Sequence, residues 1–186
     1  MCSGCLPWPS VRWLVPAGDD CIEATSRCVW SGALTDLQDR ASGKFVLPDD
    51  VNQPVVFLGG GIGITTFRSM MRFATDENLP TSITLLYSVK TPADIVFRKE
   101  LEHLPEENPR IKIFTTISDP EESDEPWSGE TGRIDADMIM AHVDPDSSPL
   151  YYISGPPKMI KDLSDLLKEI GIPERAIKTE EYSGYD

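Results

Sequence analysis

From about residue 44 onward, apolar and polar positions fall into short alternating blocks. Four runs, 55–58, 83–87, 111–117 and 150–153, are rich in β-branched and aromatic residues, as strands buried on both faces require. Between them the spacing predicts helices over about 66–75, 92–104, 136–142 and 157–170. The last is the clearest: Ile160, Leu163, Leu167 and Ile170 recur at three- and four-residue steps, with Met159 and Leu166 alongside, and form one apolar face. Gly171 supplies its stop signal. Pro92 and Pro157 stand where a first helical turn tolerates a missing N–H. A short strand over about 176–181 follows Pro173. The alternation predicts an α/β fold, a doubly wound parallel sheet of five strands with helices on both faces. Phe67, Met70 and Met71 are expected to pack the first helix onto that sheet.

The first 43 residues lack this order. Pro7, Pro9 and Pro16 interrupt them, and all four cysteines (Cys2, Cys5, Cys21, Cys28) and three of the four tryptophans lie there. The chain therefore divides into an irregular segment, 1–43, and a domain, 44–186. Cys2 and Cys5 have the gap of a metal-ligand pair, but Cys21 and Cys28 are six residues apart between them, so free thiols are expected and no metal.

Charge excludes some functions. Among 186 residues, 31 acidic side chains face 17 Lys plus Arg, a formal charge of −14. Such a surface repels a phosphate backbone, so a nucleic-acid partner is not expected. No apolar run approaches the ~20 residues of a membrane helix, and a cytoplasmic protein with no membrane partner is expected. The acidic stretch from Asp119 to Glu130 reads as a solvated loop. His103 and His142, near predicted helix ends, suit capping or surface roles.

Chemistry concentrates after the first strand. Gly59-Gly60-Gly61-Ile62-Gly63-Ile64-Thr65 places four glycines in five positions ahead of a helix. Missing β-carbons let an anion reach the backbone, and the helix directs free N–H groups at the same spot. A phosphate or pyrophosphate is expected there. The spacing is not the dinucleotide fingerprint with glycines first, third and sixth. Counted from Gly59 the sixth residue is Ile64, and from Gly61 it is Thr66.

Pro54 through Thr65 instead resembles the glycine-rich segment opening the pyridine-nucleotide domain of the ferredoxin-NADP reductase family. Four further stretches agree in order: Leu86-Tyr87-Ser88 through Arg98, Trp127 through Ile134 with Gly132-Arg133, Tyr152-Ile153-Ser154-Gly155-Pro156-Pro157-Lys158-Met159, and Glu180-Glu181-Tyr182 with Gly184-Tyr185. Together they cover about 44–186.

The resemblance implies an oxidoreductase module that holds NADPH or NADH so that its nicotinamide faces a flavin. It places Gly59, Gly60, Gly61, Gly63, Ile64 and Thr65 at the pyrophosphate, and Gly155, Pro156, Pro157 and Met159 beside the nicotinamide. Ser154 stands where the family usually has cysteine and is the expected catalytic residue. Glu181, or the adjacent Glu180, matches a family carboxylate near the flavin. Ser88 and Lys90, ending the second strand, lean towards NADPH, because a carboxylate there would suit NADH.

That family places a flavin-binding barrel ahead of this domain. Gly43 through Pro48 resembles its last strand, but Arg27-Cys28-Val29-Trp30-Ser31 is only a distorted form of its flavin signature. FAD or FMN is therefore expected from a missing domain or a partner protein, and residues 1–43 remain a barrel remnant, an extension meeting a flavin subunit, or a small metal site. The expected partners are the pyridine nucleotide and a flavin-binding or electron-acceptor protein. Two other readings stay open: a non-catalytic nucleotide-binding or regulatory module, and a domain holding another phosphorylated ligand.

Overall fold

The computed structural model describes residues 45–181. Six strands, β1 (Val55–Gly60), β2 (Ile83–Val89), β3 (Ile111–Ile117), β4 (Glu130–Thr131), β5 (Leu150–Gly155) and β6 (Ile177–Glu181), alternate with four α-helices. These are α1 (Ile64–Asp76), α2 (Arg98–Glu107), α3 (Ala136–His142) and α4 (Pro157–Glu169). The strands lie in the order β4-β3-β2-β1-β5-β6, and every pair is parallel. Chain order therefore runs outward from β1 in one direction and resumes at β5 on its other side. That reversal is the topological switch point at which such sheets bind ligands.

Burial follows the pleat. All six residues of β1 are buried, as expected of a central strand covered on both faces. Phe57, Tyr87 and Tyr152 point to one face and meet Phe67 and Met71 of α1 with Leu101 and Leu104 of α2. Val56, Leu58, Leu86 and Ile153 point to the other and meet Ile139 of α3 with Ile160, Leu163 and Leu167 of α4. Each such side chain contributes roughly 1.5–3 kcal/mol on full burial. Phe57 stacks on Phe67 at 4.5 Å between ring centroids, and Phe45 meets Tyr152 edge-on at 5.3 Å. The Tyr152 hydroxyl donates to the Val46 carbonyl at 2.7 Å, tying the segment entering the domain to its sheet.

Two features depart from the sequence expectation. The sheet has six strands rather than five, because Glu130 and Thr131 pair with Thr116 and Ile117. The stretch read as a solvated loop is therefore anchored: the Trp127 indole donates to the Glu130 carbonyl at 2.8 Å, and Arg98 meets Glu125 at 2.6 Å. Nor does a helix start at Pro92. Residues Pro92–Asp94 form a single 3-10 turn, closed by Thr91 and Asp94 in a capping box. The chain then extends through Ile95 and reverses at Phe97, whose left-handed φ of 58° breaks any continuous helix. Arg68 lies over the Phe97 ring and pairs with Glu100 at 2.6 Å, holding that bend against α1.

His142 is not a plain surface group. Its ring stacks on Phe114 and its Nε2 lies 2.5 Å from a Glu130 carboxylate oxygen. His103 is exposed, with Nδ1 2.6 Å from the Lys99 carbonyl oxygen. Among the described residues no helix is long and apolar enough to cross a membrane. The cysteines, Lys44, Tyr182, Gly184 and Tyr185 lie outside the described residues.

Candidate functional site

β1 delivers the glycines to the carboxyl edge of the sheet. After Gly60 a 3-10 turn, Gly61–Gly63, leads directly into α1, and no side chain caps that helix. The turn already takes the Ile64 N–H on the Gly61 and Ile62 carbonyls, so donors for a ligand lie in the turn itself, ahead of α1. Each glycine has its own reason. Gly61 has φ +51° with open space where a β-carbon would stand. A β-carbon at Gly63 would lie 2.3 Å from the Ser154 carbonyl oxygen, and one at Gly60 would lie 2.1 Å from the Met159 sulfur. A β-carbon at Gly59 would come within 3.3 Å of the Phe67 ring. Thr65 donates its hydroxyl to the Ile62 carbonyl at 2.9 Å. Ile64 is fully buried in the core, so it offers the site only its backbone.

Tyr87 fixes this turn from below. Its buried hydroxyl donates to the Gly61 carbonyl at 3.1 Å and accepts from the Val96 N–H at 3.4 Å. Desolvation by burial pushes the phenol's pKa up, outweighing the lowering effect of the Val96 contact, so the hydroxyl remains a donor through neutral pH.

The second loop leaves β5 at Ser154-Gly155 and enters α4 through exposed Pro156 and Pro157. Ser154 is fully buried, yet its hydroxyl has no hydrogen-bond partner among the described residues. A buried polar group left unmatched costs ~1–3 kcal/mol, and such a group at a strand end is a reason to expect a ligand. Gly59, Ser154 and Glu180 are register neighbours across β1, β5 and β6. Glu180 accepts a hydrogen bond from the Thr66 hydroxyl of α1 at 2.9 Å, so Ser154 and Glu180 share the α1 face. Glu181, opposite Gly155 and exposed, points away from that face. The structure thus brings Glu180, not Glu181, to Ser154.

On the other face, beyond β2 and β3, a cleft of about 410 Å³ opens between the strand ends and α4. Ser88 and Lys90 line it, as do Ser118, Arg133, Lys158 and Asp162. Its apolar lining comes from Ile134, Pro156, Met159 and Leu163. Met159 also covers Gly60, so it joins the cleft to the glycine turn. Sequence reasoning assigned no role to Ser118, Arg133, Lys158 or Asp162. Arg133 and Lys158 lie inside quoted motifs, and only their shared approach to one cleft distinguishes them from solvated surface charges.

Known proteins carry the same pattern. Residues 57–165 match the oxidoreductase NAD-binding domain family. The glycine betaine monooxygenase reductase subunit of Chromohalobacter salexigens is 31% identical over 129 residues, covering 69% of this chain and 35% of that one. NADH-cytochrome b5 reductase 2 of Xenopus tropicalis is 33% identical over 147 residues, covering 73% of this chain and 47% of that one. The cytochrome b5 reductase domain of Ulva prolifera nitrate reductase superposes with a TM-score of 0.61 at 29% identity, covering 69% of this chain and 50% of that one. The chain thus spans about a third to a half of the curated relatives' length. With the glycine turn and the second loop both within the matched region, the chain belongs to the oxidoreductase NAD-binding domain family, in the form found in ferredoxin-NADP reductase-like enzymes.

Proposed function

We propose that this chain binds NAD(P)H across its two loops and orients the nicotinamide towards a flavin held by another domain or a partner protein. The observation that carries this reading is the seat formed where Gly63 packs on the Ser154 carbonyl, beside a buried serine hydroxyl with no partner. The donor set fits the ligand. The glycine turn from Gly61 to Gly63 presents its N–H groups to a pyrophosphate, and Thr65 closes the turn on the Ile62 carbonyl. Ser154 offers one hydroxyl to the carboxamide end of the nucleotide.

When bound, the reduced nicotinamide supplies a hydride to the flavin, and that chemistry belongs to the two cofactors. The chain's own share is positional. Gly63 keeps the pyrophosphate turn against β5, which sets the depth of the ring. Ser154 orients the ring edge. Glu180, held by Thr66, presents a carboxylate on the same face, next to the Ser154 position. Names of relatives include a monooxygenase reductase and cytochrome b5 reductases, so the acceptor here is taken to be an electron-transfer or oxygenase protein.

Calorimetric titration of the full chain with NADPH, NADH and ATP tests the binding step. Saturable binding of a reduced nicotinamide coenzyme is expected, and binding of ATP alone contradicts the reading. Adding FAD and a candidate flavin domain tests the enzymatic step. NADPH- or NADH-dependent reduction of a dye is the expected result, while binding without turnover supports a regulatory module.

A further inference from the structure

We propose that Thr66 is a positioning residue: by holding the Glu180 carboxylate beside the nicotinamide seat, it biases that seat towards the oxidised, cationic ring over the reduced, neutral one. The inference rests on the nucleotide reading above and adds to it the redox form that the seat favours. The Ser154 hydroxyl, fully buried and without a partner among the described residues, marks where the ring edge lies. Ser154 and Glu180 are register neighbours on β5 and β6, and strands in a sheet are spaced about 4.8 Å apart. A ring that meets Ser154 therefore has the Glu180 side chain one strand away on the same face.

The hydroxyls of α1 show how Thr66 differs from its neighbours. Thr65, Ser69 and Thr75 donate to the Ile62, Thr65 and Met71 carbonyls, three or four residues back, as hydroxyls in helices commonly do. Thr66 donates across to Glu180 Oε2 at 2.9 Å, 114 residues further along the chain. Both residues are half-buried, so water competes only in part for that bond. It fastens an acid on the edge strand β6 to the first turn of α1, a place that favours negative charge. Untethered, a long side chain on an edge strand turns freely to water. Lys178, two positions earlier on the same face, directs its ammonium to the Tyr152 hydroxyl at 3.0 Å.

Charge then sets the preference. When hydrogen and its electron pair leave together as hydride for the flavin, the neutral dihydronicotinamide becomes a ring with a positive charge. A carboxylate within about 5 Å attracts only that charged form. Repulsion between Glu180 and the coenzyme's pyrophosphate is common to both forms and cancels in the ratio of their affinities. By linkage, a seat that binds the oxidised form more tightly makes the bound reduced form a stronger hydride donor by the same factor. Glu181, opposite Gly155 and exposed on the other face, carries the same charge without the same position, and so supplies the control.

The test is calorimetric titration of the full chain with NAD⁺, NADH, NADP⁺ and NADPH in the absence of flavin, with melting temperature confirming that each variant folds. The quantity read is the affinity for the oxidised form divided by that for the reduced form of whichever coenzyme binds. Glu180→Gln is expected to lower this ratio roughly three- to tenfold, and Thr66→Val at least about twofold. Thr66→Ala carries the same expectation as Thr66→Val should the latter fail to fold. Thr66→Ser, which keeps the hydroxyl, and Glu181→Gln, which removes an equal charge from the opposite face, should leave the ratio within about 1.5-fold of the natural one. An unchanged ratio in Glu180→Gln or Thr66→Val, an equal change in Glu181→Gln, or a Thr66→Ser that behaves like Thr66→Val overturns the assignment while leaving the nucleotide site standing. Binding of no coenzyme to the natural chain removes the nucleotide site itself, and the proposal with it.

Discussion

The two ends of the proposed nucleotide seat are built from different materials. At the β1 and β5 end the contacts are backbone: Gly60 lies under Met159, Gly63 lies on Ser154, and α1 begins without a side-chain cap. At the β2 and β3 end they are side chains, with Ser88, Lys90, Ser118, Arg133 and Lys158 reaching into an open cleft. Backbone surfaces recognise what every pyridine dinucleotide shares and tolerate almost no added atom. Side-chain surfaces can be exchanged singly, and are where one coenzyme can be told from another.

The sharpest way to break the comparison is to add atoms at the backbone end. Gly63→Val places carbons against the Ser154 carbonyl, which belongs to the central sheet and cannot step aside. A loss of at least about 2 kcal/mol in urea unfolding and of all coenzyme binding is expected. A variant of normal stability and affinity would show that the two loops are not one seat. Gly60→Ala should cost less, about 1 kcal/mol, because the obstacle is the end of an unbranched methionine side chain. Met159→Ala in the Gly60→Ala background should recover part of the lost affinity, as a coupled pair does.

Ser154→Ala sharpens the comparison in another way, because stability and activity should part. Removing an unmatched buried hydroxyl is expected to raise unfolding stability by up to about 1 kcal/mol, while turnover with a flavin partner falls several-fold. A drop in stability would mean that the hydroxyl is satisfied within the folded chain. The smallest effect concerns Tyr87. Its pKa is raised in the folded state, so its contribution is present below the unfolded value near pH ~10 and is lost as pH rises through the folded value. Stability should therefore decline above about pH 10, less steeply in Tyr87→Phe. Tyr151, also raised by burial, keeps part of the slope in that variant.

Much of the fold was legible because long apolar strands and the Ile160–Leu163–Leu167 stripe carry strong periodic signals. β4 carried none: two residues, Glu130 and Thr131, sit among acids, prolines and glycines, and they pair only because Trp127, His142 and Gly132 hold them to β3. The start of α2 was misplaced because Pro92 is a good first residue for an α-helix and for a 3-10 turn alike, and the left-handed Phe97 between them has no sequence signature. In the candidate site the glycines were readable from composition. The distinction between Glu180 and Glu181 was not, because it depends on which face of β6 each pleat position takes, and that is set by the register of β6 on β5. Arg133 and Lys158 looked like ordinary surface charges until the strand order brought the ends of β2 and β3 beside α4.

The central claim is that one dinucleotide spans both loops, and amide chemical-shift mapping of the full chain titrated with NADPH tests it most directly. The account predicts that amides of Gly60 through Thr65 and of Ser154, Gly155, Lys158 and Met159 shift together along a single saturation curve. Shifts confined to one loop, or arising on a surface remote from both, would contradict it.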